Sequence, residues 1–189
     1  MELVWPSLER LPAIADALQR GWTPDSIRGE IAAREQLERI ASEPEAFVAS
    51  LVDREARGAP VRLPDGSRAR RLPGYVRWIW DEGFCGVVSF RWQPGTSDLP
   101  PHVLGHIGYS VVPWQRGRGY ATRALALQLA AAAAEGLAHV TLTTDPGNAV
   151  SQRVIERNGG VLVERFVKPQ AYGGGPGLRY RIDLARDLQ

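Results

Sequence analysis

Cysteine and lysine are nearly missing from this chain: Cys85 and Lys168 are the sole examples among 189 residues. A lone cysteine, set in the apolar run Phe84-Cys85-Gly86, forms no internal disulfide and builds no thiolate metal cluster. Its simplest reading is a small core residue, and no metal site is expected. Long apolar runs are missing too, since none is both long enough and free of charge to span a bilayer. The N-terminus, MELVWPSLER, lacks the basic start and apolar core of a signal peptide. A cytoplasmic protein with no membrane partner is the expectation. Charge of one sign is also scarce: 23 Lys and Arg against 21 Asp and Glu leave a net charge of +2. The arginines are spread along the chain, which argues against a nucleic-acid partner. That the positive charge is almost all arginine reflects genome composition first, although arginine also presents fixed, forked donors suited to phosphate.

What the chain does have is 44% hydrophobic residues, enough core for a single compact domain spanning 1–189. Its N-terminal third reads as helical. Residues 7–21 and 23–42 carry apolar residues at helical spacing behind Ser and Thr-Pro starts, and a third helix covers 44–58, ending at Gly58. Residues 61–74, rich in turn residues and arginine, read as a loop or short hairpin around Asp65-Gly66. β-Branched and aromatic runs follow at 75–81 and 84–92, separated by the hairpin signal Glu82-Gly83, and a third strand covers 102–112. A helix from near Gly119 to Gly136 leads to a strand at 139–144, the turn Asp145-Pro146-Gly147-Asn148, a short helix at 149–158 and a stop at Gly159-Gly160. Strands at 161–167 and 178–184 flank the loop 168–177. The pattern predicts an α+β fold, a mixed and mostly antiparallel sheet flanked by helices, with a helical N-terminal region.

The segment Trp114 to Leu125, WQRGRGYATRAL, places two glycines and two arginines between a strand and a long helix. A helix start offers unpaired N–H groups and about half a positive charge, a ready site for an anion. Gly117 and Gly119 let the backbone turn sharply and let a ligand approach without meeting a Cβ. Two familiar phosphate loops are excluded. The segment has no Gly-Lys-Ser/Thr, and Gly117-Arg118-Gly119-Tyr120-Ala121-Thr122 ends in threonine with no acidic ribose reader at the expected distance.

The segment resembles the acyl-CoA loop of the GCN5-related N-acetyltransferase (GNAT) superfamily: Arg or Gln, two residues, Gly, one residue, then Gly or Ala, matched by Arg116, Gly119 and Ala121. The context is similar as well, with a Val-Val-Pro strand end before the loop and Asn148 and Ser151 in a turn-helix after the next strand, followed by Val154-Ile155-Glu156-Arg157-Asn158-Gly159-Gly160. The resemblance is strong from about Gly105 to Val163, weaker over the two preceding strands and slight over the N-terminal region. It lies nearest to a bacterial branch of predicted acetyltransferases. It implies that acetyl-CoA is the acyl donor, its pyrophosphate sitting on the backbone N–H groups of Arg116, Gly117, Arg118, Gly119, Tyr120, Ala121 and Thr122. By the same resemblance, Val111 and Val112 lend main-chain groups to the pantetheine arm and the acetyl carbonyl. Asn148 either caps its helix or touches the CoA arm, and Ser151 is similarly divided.

One departure stands out: many relatives carry a tyrosine seven residues past the asparagine, which reprotonates the leaving thiolate, and this chain has Ile155 there. For the base that takes a proton from the acceptor amine, His106 is the most economical candidate, since imidazole titrates near neutrality and the residue sits on the strand leading to the loop. A hydrogen-bonded structural histidine is the competing reading. Tyr109 and Glu82 are lesser alternatives. His106, Gly108, Ser110 and Val112 share one face of that strand, and Ile107, Tyr109 and Val111 the other. Trp78 and Trp80 read as core residues first and as groove lining second. With Cys85 on a different strand, an acyl-enzyme route is disfavoured. The expected function is direct acetyl transfer to a primary amine, on a small molecule or a peptide, in a ternary complex. The alternatives are an acyl-CoA-binding module without turnover and, less favoured, an arginine-dependent nucleic-acid binder. A homodimer through the C-terminal strands is implied by resemblance only.

Overall fold

The computed structural model describes residues 1–25, 27–62 and 66–184. A short strand, β1 (Glu2–Val4), precedes three helices, α1 (Leu11–Gln19), α2 (Glu30–Ser42) and α3 (Pro44–Ser50). Two-residue strands β2 (Val52–Asp53), β3 (Val61–Arg62) and β4 (Arg68–Ala69) lead to the long hairpin of β5 (Gly74–Trp80) and β6 (Phe84–Arg91). Then come β7 (Ile107–Val111), α4 (Tyr120–Ala134), β8 (His139–Thr144), α5 (Ala149–Arg157), β9 (Val161–Val167) and β10 (Pro176–Asp183). The described ladders are antiparallel. The first sheet runs β1-β5-β6-β7 with β2 also on β5, the second runs β8-β10-β9, and β3 pairs with β4.

Alternation along the central strands feeds two cores. On β5, Tyr75 and Ile79 pack beneath α4 and α5, whereas Val76, Trp78 and Trp80 face the N-terminal helices. A register shift between Ile79 and Trp80 bulges β6, so that Phe84 and Val87, three residues apart, both join the helical side. Sandwiching the sheet in this way buries apolar surface on both faces, the principal driving force for the fold.

The elements differ from expectation at the N-terminal side. β1 has no counterpart in the sequence reading; its three residues pair with Trp78, Ile79 and Trp80. The helix expected over 23–42 begins only at Glu30, because Asp25 Oδ1 accepts the N–H groups of Ile27 and Arg28 in a separate turn; Ser26 lies outside the described residues. The helix expected over 44–58 stops at Ser50. There Leu51 O accepts Val76 N–H, β2 joins β5, and the Asp53 carboxylate takes the N–H groups of Arg57 and Gly58 in a turn. The hairpin at 61–74 forms as β3 and β4, while Asp65 in its expected turn lies outside the described residues. The strand expected over 102–112 is extended only from Ile107 to Val111. Among the described residues no helix is long and apolar enough to cross a membrane.

Among the described residues, backbone hydrogen bonds join the two sheets at one place. His106 N–H donates to Thr141 O (2.8 Å) and Thr141 N–H donates to His106 Nδ1 (2.9 Å). Beyond it β7 and β8 form no ladder, and the gap between them is the feature that positions the site.

Candidate active site

The strand β7 delivers the chain to its loop with little slack. Val112 N–H donates to Cys85 O (3.0 Å), Gln115 N–H to Val112 O (3.0 Å) and Arg116 N–H to Pro113 O (3.3 Å). Among the described residues the N–H groups of the next six, Gly117 to Thr122, meet no protein acceptor; the first helical bond of α4 is Arg123 N–H to Gly119 O. Gly117 and Gly119 both sit at positive φ, +81° and +78°, which turns successive amides toward one side. The result is a cradle of N–H donors at the start of a fifteen-residue helix.

Side chains hold this cradle from behind. The Tyr120 ring is buried and its hydroxyl donates to Asp81 Oδ2 (2.6 Å), while Asp81 Oδ1 lies 3.0 Å from the N-terminal ammonium of Met1. Those partners, the tyrosine first, hold the Asp81 carboxyl below the usual carboxylate range. Arg116 Nε donates to Val111 O (3.2 Å). Asn158 Nδ2 ties α5 to α4 by donating to Thr122 O (3.2 Å).

Two main-chain roles expected from resemblance change here. Arg116 N–H is engaged by Pro113, so the free amides begin at Gly117. Val112 N–H is spent on β6. Because paired strands alternate their bonding, Val111 and Tyr109 turn their N–H groups away from β6, toward the gap.

The gap between β7 and β8 forms a cleft of about 280 Å³, lined among others by Ile107, Tyr109, Thr144, Asn148, Ser151 and Ile155. Asn148 caps α5, its Oδ1 accepting Ser151 N–H (3.0 Å). Ile155 is 1% exposed and brings only hydrocarbon. From the opposite strand, Tyr109 reaches across so that its hydroxyl lies 2.9 Å from Ser151 Oγ and donates to Ser151 O (3.3 Å). Burial raises the Tyr109 phenol above its ordinary value, so it keeps its proton throughout the neutral range.

A second, larger cleft of about 600 Å³ lies between the N-terminal helices and the opposite face of the first sheet. Its walls are mainly apolar, including Trp22, Phe47, Val76 and Trp78, with Asp25, Arg39 and Arg91 supplying charge. The two clefts share Ile27, Gly108, Tyr109 and Tyr172. Tyr109 therefore stands where they meet. The expected strand faces hold: Gly108 and Ser110 line the second cleft, and Trp22 Nε1 donates to Ser110 Oγ (3.1 Å) across it. Sequence reasoning did not find Trp22, Asp25, Arg39 or Arg91, which come from the α1–α2 connection, α2 and the end of β6 without a motif. Trp78, read as groove lining second, lines this cleft, and Tyr172 of the 168–177 loop lines both.

His106 is the main correction. Although it belongs by parity with Gly108 and Ser110, it is 0% exposed and lines neither cleft. Its Nδ1 accepts Thr141 N–H, which puts the proton of the neutral ring on Nε2, and Nε2 is buried without a partner. Burial first, and His139 second, lower its pKa to about 4. Such a ring takes up protons poorly at neutral pH, which favours the structural reading of His106 over that of a general base. Glu82 lies exposed at the hairpin turn, outside both clefts. Cys85 is 0% exposed and lines neither cleft. No group of histidine, cysteine and carboxylates suited to a metal occurs among the described residues.

A row of free amides at a helix start stands beside a cleft where two sheets part, and a second cleft meets the first. The family model described as an acetyltransferase (GNAT) domain matches residues 25–161, more than half of the chain. The protein belongs to this family and is a GNAT acetyltransferase. A comparison with curated protein sequences finds no match. Solved structures share the fold at low identity. The acetyltransferase from Salmonella typhimurium that modifies the N-terminal serine of ribosomal protein L7/L12 is 15% identical, with 97% of this chain and 94% of that chain covered and a TM-score of 0.64. The ribosomal-protein-S5-alanine acetyltransferase from Vibrio fischeri is 17% identical, with 99% and 94% covered and a TM-score of 0.61. The microcin C7 self-immunity acetyltransferase, solved with acetyl-CoA and AMP, is 12% identical, with 96% and 91% covered and a TM-score of 0.59.

Proposed function

We propose that this acetyltransferase acts by direct attack of an acceptor α-amine in a ternary complex, the donor lying in the cleft between β7 and β8 and the acceptor in the cleft beneath the N-terminal helices. The observation that carries the reading is the junction of the two clefts at Gly108 and Tyr109. When bound, acetyl-CoA supplies an activated acyl group: a new C–N bond to the acceptor forms, the C–S bond breaks, CoA leaves as the thiol and the amine proton passes to solvent. The free N–H groups of Gly117 to Thr122 fit its diphosphate, a match of fixed donors to fixed charge. Val111 N–H, turned into the gap, is placed to stabilise negative charge on an acyl oxygen.

Tyr109 Oη holds a proton in the donor cleft, on the wall facing Ile155, and Ser151 Oγ fixes its direction. This pair serves as the proton donor to the leaving thiolate in place of the family's helix tyrosine, and the phenol regains its proton from solvent. No histidine lines either cleft, which fits an amine that needs little help to lose its proton. An α-amine of a peptide, with a pKa near 7.8, is about a third neutral near pH 7.5, whereas a lysine amine is about one part in a thousand neutral. The relatives named for N-terminal serine and alanine acetylation support the same class of acceptor. The exposed Val161, Val163 and Val167 on β9, an outer strand of its sheet, support the C-terminal strands as a homodimer contact; a monomer in sedimentation would remove that part.

The test is steady-state thiol release with acetyl-CoA and short peptides, the product identified by mass. Intersecting initial-velocity lines are expected for a ternary complex, and parallel lines would contradict it. Tyr109→Phe should lower kcat by about tenfold or more while the KM for acetyl-CoA stays within about threefold. An unchanged kcat would remove the tyrosine from the mechanism.

A further inference from the structure

The acceptor cleft carries a charge pattern that its fold does not need. Arg39, on α2, and Arg91, at the end of β6, both line it. Both residues are exposed, and among the described residues neither guanidinium forms an ion pair. Each is nevertheless held in place by neighbours at the groove. Arg39 donates to Ser50 Oγ (3.1 Å) and stands 5.4 Å from the ring centre of Phe47, itself a lining residue. Arg91 reaches Ser89 Oγ (3.5 Å), also on the lining. The one opposing charge in the cleft is Asp25, whose Oδ1 already accepts two backbone N–H groups. Two arginines against one aspartate leave the lining with a formal charge of +1.

Around these charges the cleft is mostly hydrocarbon and aromatic. Trp78 and Phe47 are 1% and 3% exposed and form part of its floor. A purely cationic acceptor such as a polyamine would leave that floor uncovered and meet two unneutralised guanidinium groups, an arrangement that selects against it. An acceptor with an apolar body and an anion would cover the floor and give the arginines charge-assisted bonds.

We propose that the natural acceptor is an anionic, amphipathic amine, an apolar α-amino residue followed by a carboxylate, and that Arg39 and Arg91 are the residues that select it. The inference rests on the acetyl-transfer reading above. The carboxylate has two sources of the same chemistry, the C-terminus of a dipeptide or an acidic side chain near the start of a longer peptide.

The experiment measures transfer from saturating acetyl-CoA to four acceptors: Phe-Ala, Phe-Ala amide, a hexapeptide amide beginning Phe-Asp, and spermidine. Binding of acetyl-CoA is measured calorimetrically alongside. The proposal expects kcat/KM for one or both carboxylate acceptors to exceed that of Phe-Ala amide by about tenfold or more. Preference for Phe-Ala identifies a C-terminal carboxylate, and preference for the hexapeptide identifies an acidic side chain. In Arg39→Gln and Arg91→Gln that advantage should shrink mainly through KM for the acceptor, with the KM for acetyl-CoA held within about twofold. Arg91→Lys should restore part of the preference, which a general loss of folding would not allow. Equal use of acid and amide, preference for spermidine, or unchanged discrimination in both Gln variants would overturn the proposal. So would transfer to none of the four when acetyl-CoA binds normally. Failure of acetyl-CoA to bind at all would instead overturn the reading on which the proposal rests.

Discussion

A neutral, buried His106 stabilises the fold above pH 6.5 and loses that contribution as the pH falls. Its pKa drops from an ordinary 6.5 to about 4 in the folded chain, so the unfolded chain binds the proton more readily and acid favours unfolding. The contribution is complete above the unfolded value, declines between about pH 6.5 and 4, and amounts to about 3 kcal/mol. Chemical denaturation of wild type and His106→Gln at pH 7.5 and pH 4.5 should show the gap between them narrowing at the lower pH. A constant gap would mean that the ring is not held neutral. Transfer by His106→Gln at saturating substrates should remain measurable, since the ring lines neither cleft. The sequence made His106 visible through its strand and parity, but not its burial. That depends on Thr141, thirty-five residues away, reaching Nδ1 from another sheet. Tyr109 was legible as a candidate for the same reason, while its true neighbour, Ser151 on α5, emerged only from the fold.

Gly119 and Gly86 place opposite demands on their elements. At Gly119 an added Cβ would meet nothing within 4 Å, so the requirement is the φ of +78° alone. Gly119→Val should cost about 1–2 kcal/mol in stability, read as a lowered Tm, because the left-handed conformation is unfavourable for a side chain. At Gly86 an added Cβ would lie 2.1 Å from Ser110 O, so Gly86→Ala must push β7 away from β6. A loss of about 2 kcal/mol or more is expected on thermal melting, and a near-neutral result would show that the strands are not held so closely. The elements that came through clearly in the sequence were long or strongly punctuated: α4, β8, α5 and the β5–β6 hairpin. Those that did not were settled by partners distant in sequence. β1 exists because β5 has a free edge, and α3 yields to β2 because Leu51 O is taken by Val76.

The whole molecule is a sheet divided in two, with helices on both faces and a cleft on each side of β7. Its division follows from the interval between β7 and β8: the intervening loop and α4 carry the chain over the sheet, and among the described residues the backbone hydrogen bonds joining the two sheets lie at His106 and Thr141. Sequence spacing predicted the order of elements and the glycine loop, but gave no sign that the pairing of β7 with β8 would lapse. That lapse is what makes room for a donor. The acceptor cleft was the least legible part, because its charged residues come from α2, the turn before it and the end of β6, with no shared motif. On this scale the proposed direct transfer requires no covalent carrier. Cys85→Ala should therefore retain most of its acetyl transfer, and loss of transfer with the protein still folded would point to an acyl-enzyme.

The central claim is that the amides from Gly117 to Thr122 form the seat of the acyl-CoA diphosphate. Calorimetric titration of acetyl-CoA into the wild-type protein and folded Gly119→Val tests it most directly. Micromolar binding by the wild type, weakened by about tenfold or more in the variant, is the predicted result. Equal affinity in the two proteins, or no binding to the wild type, would contradict it.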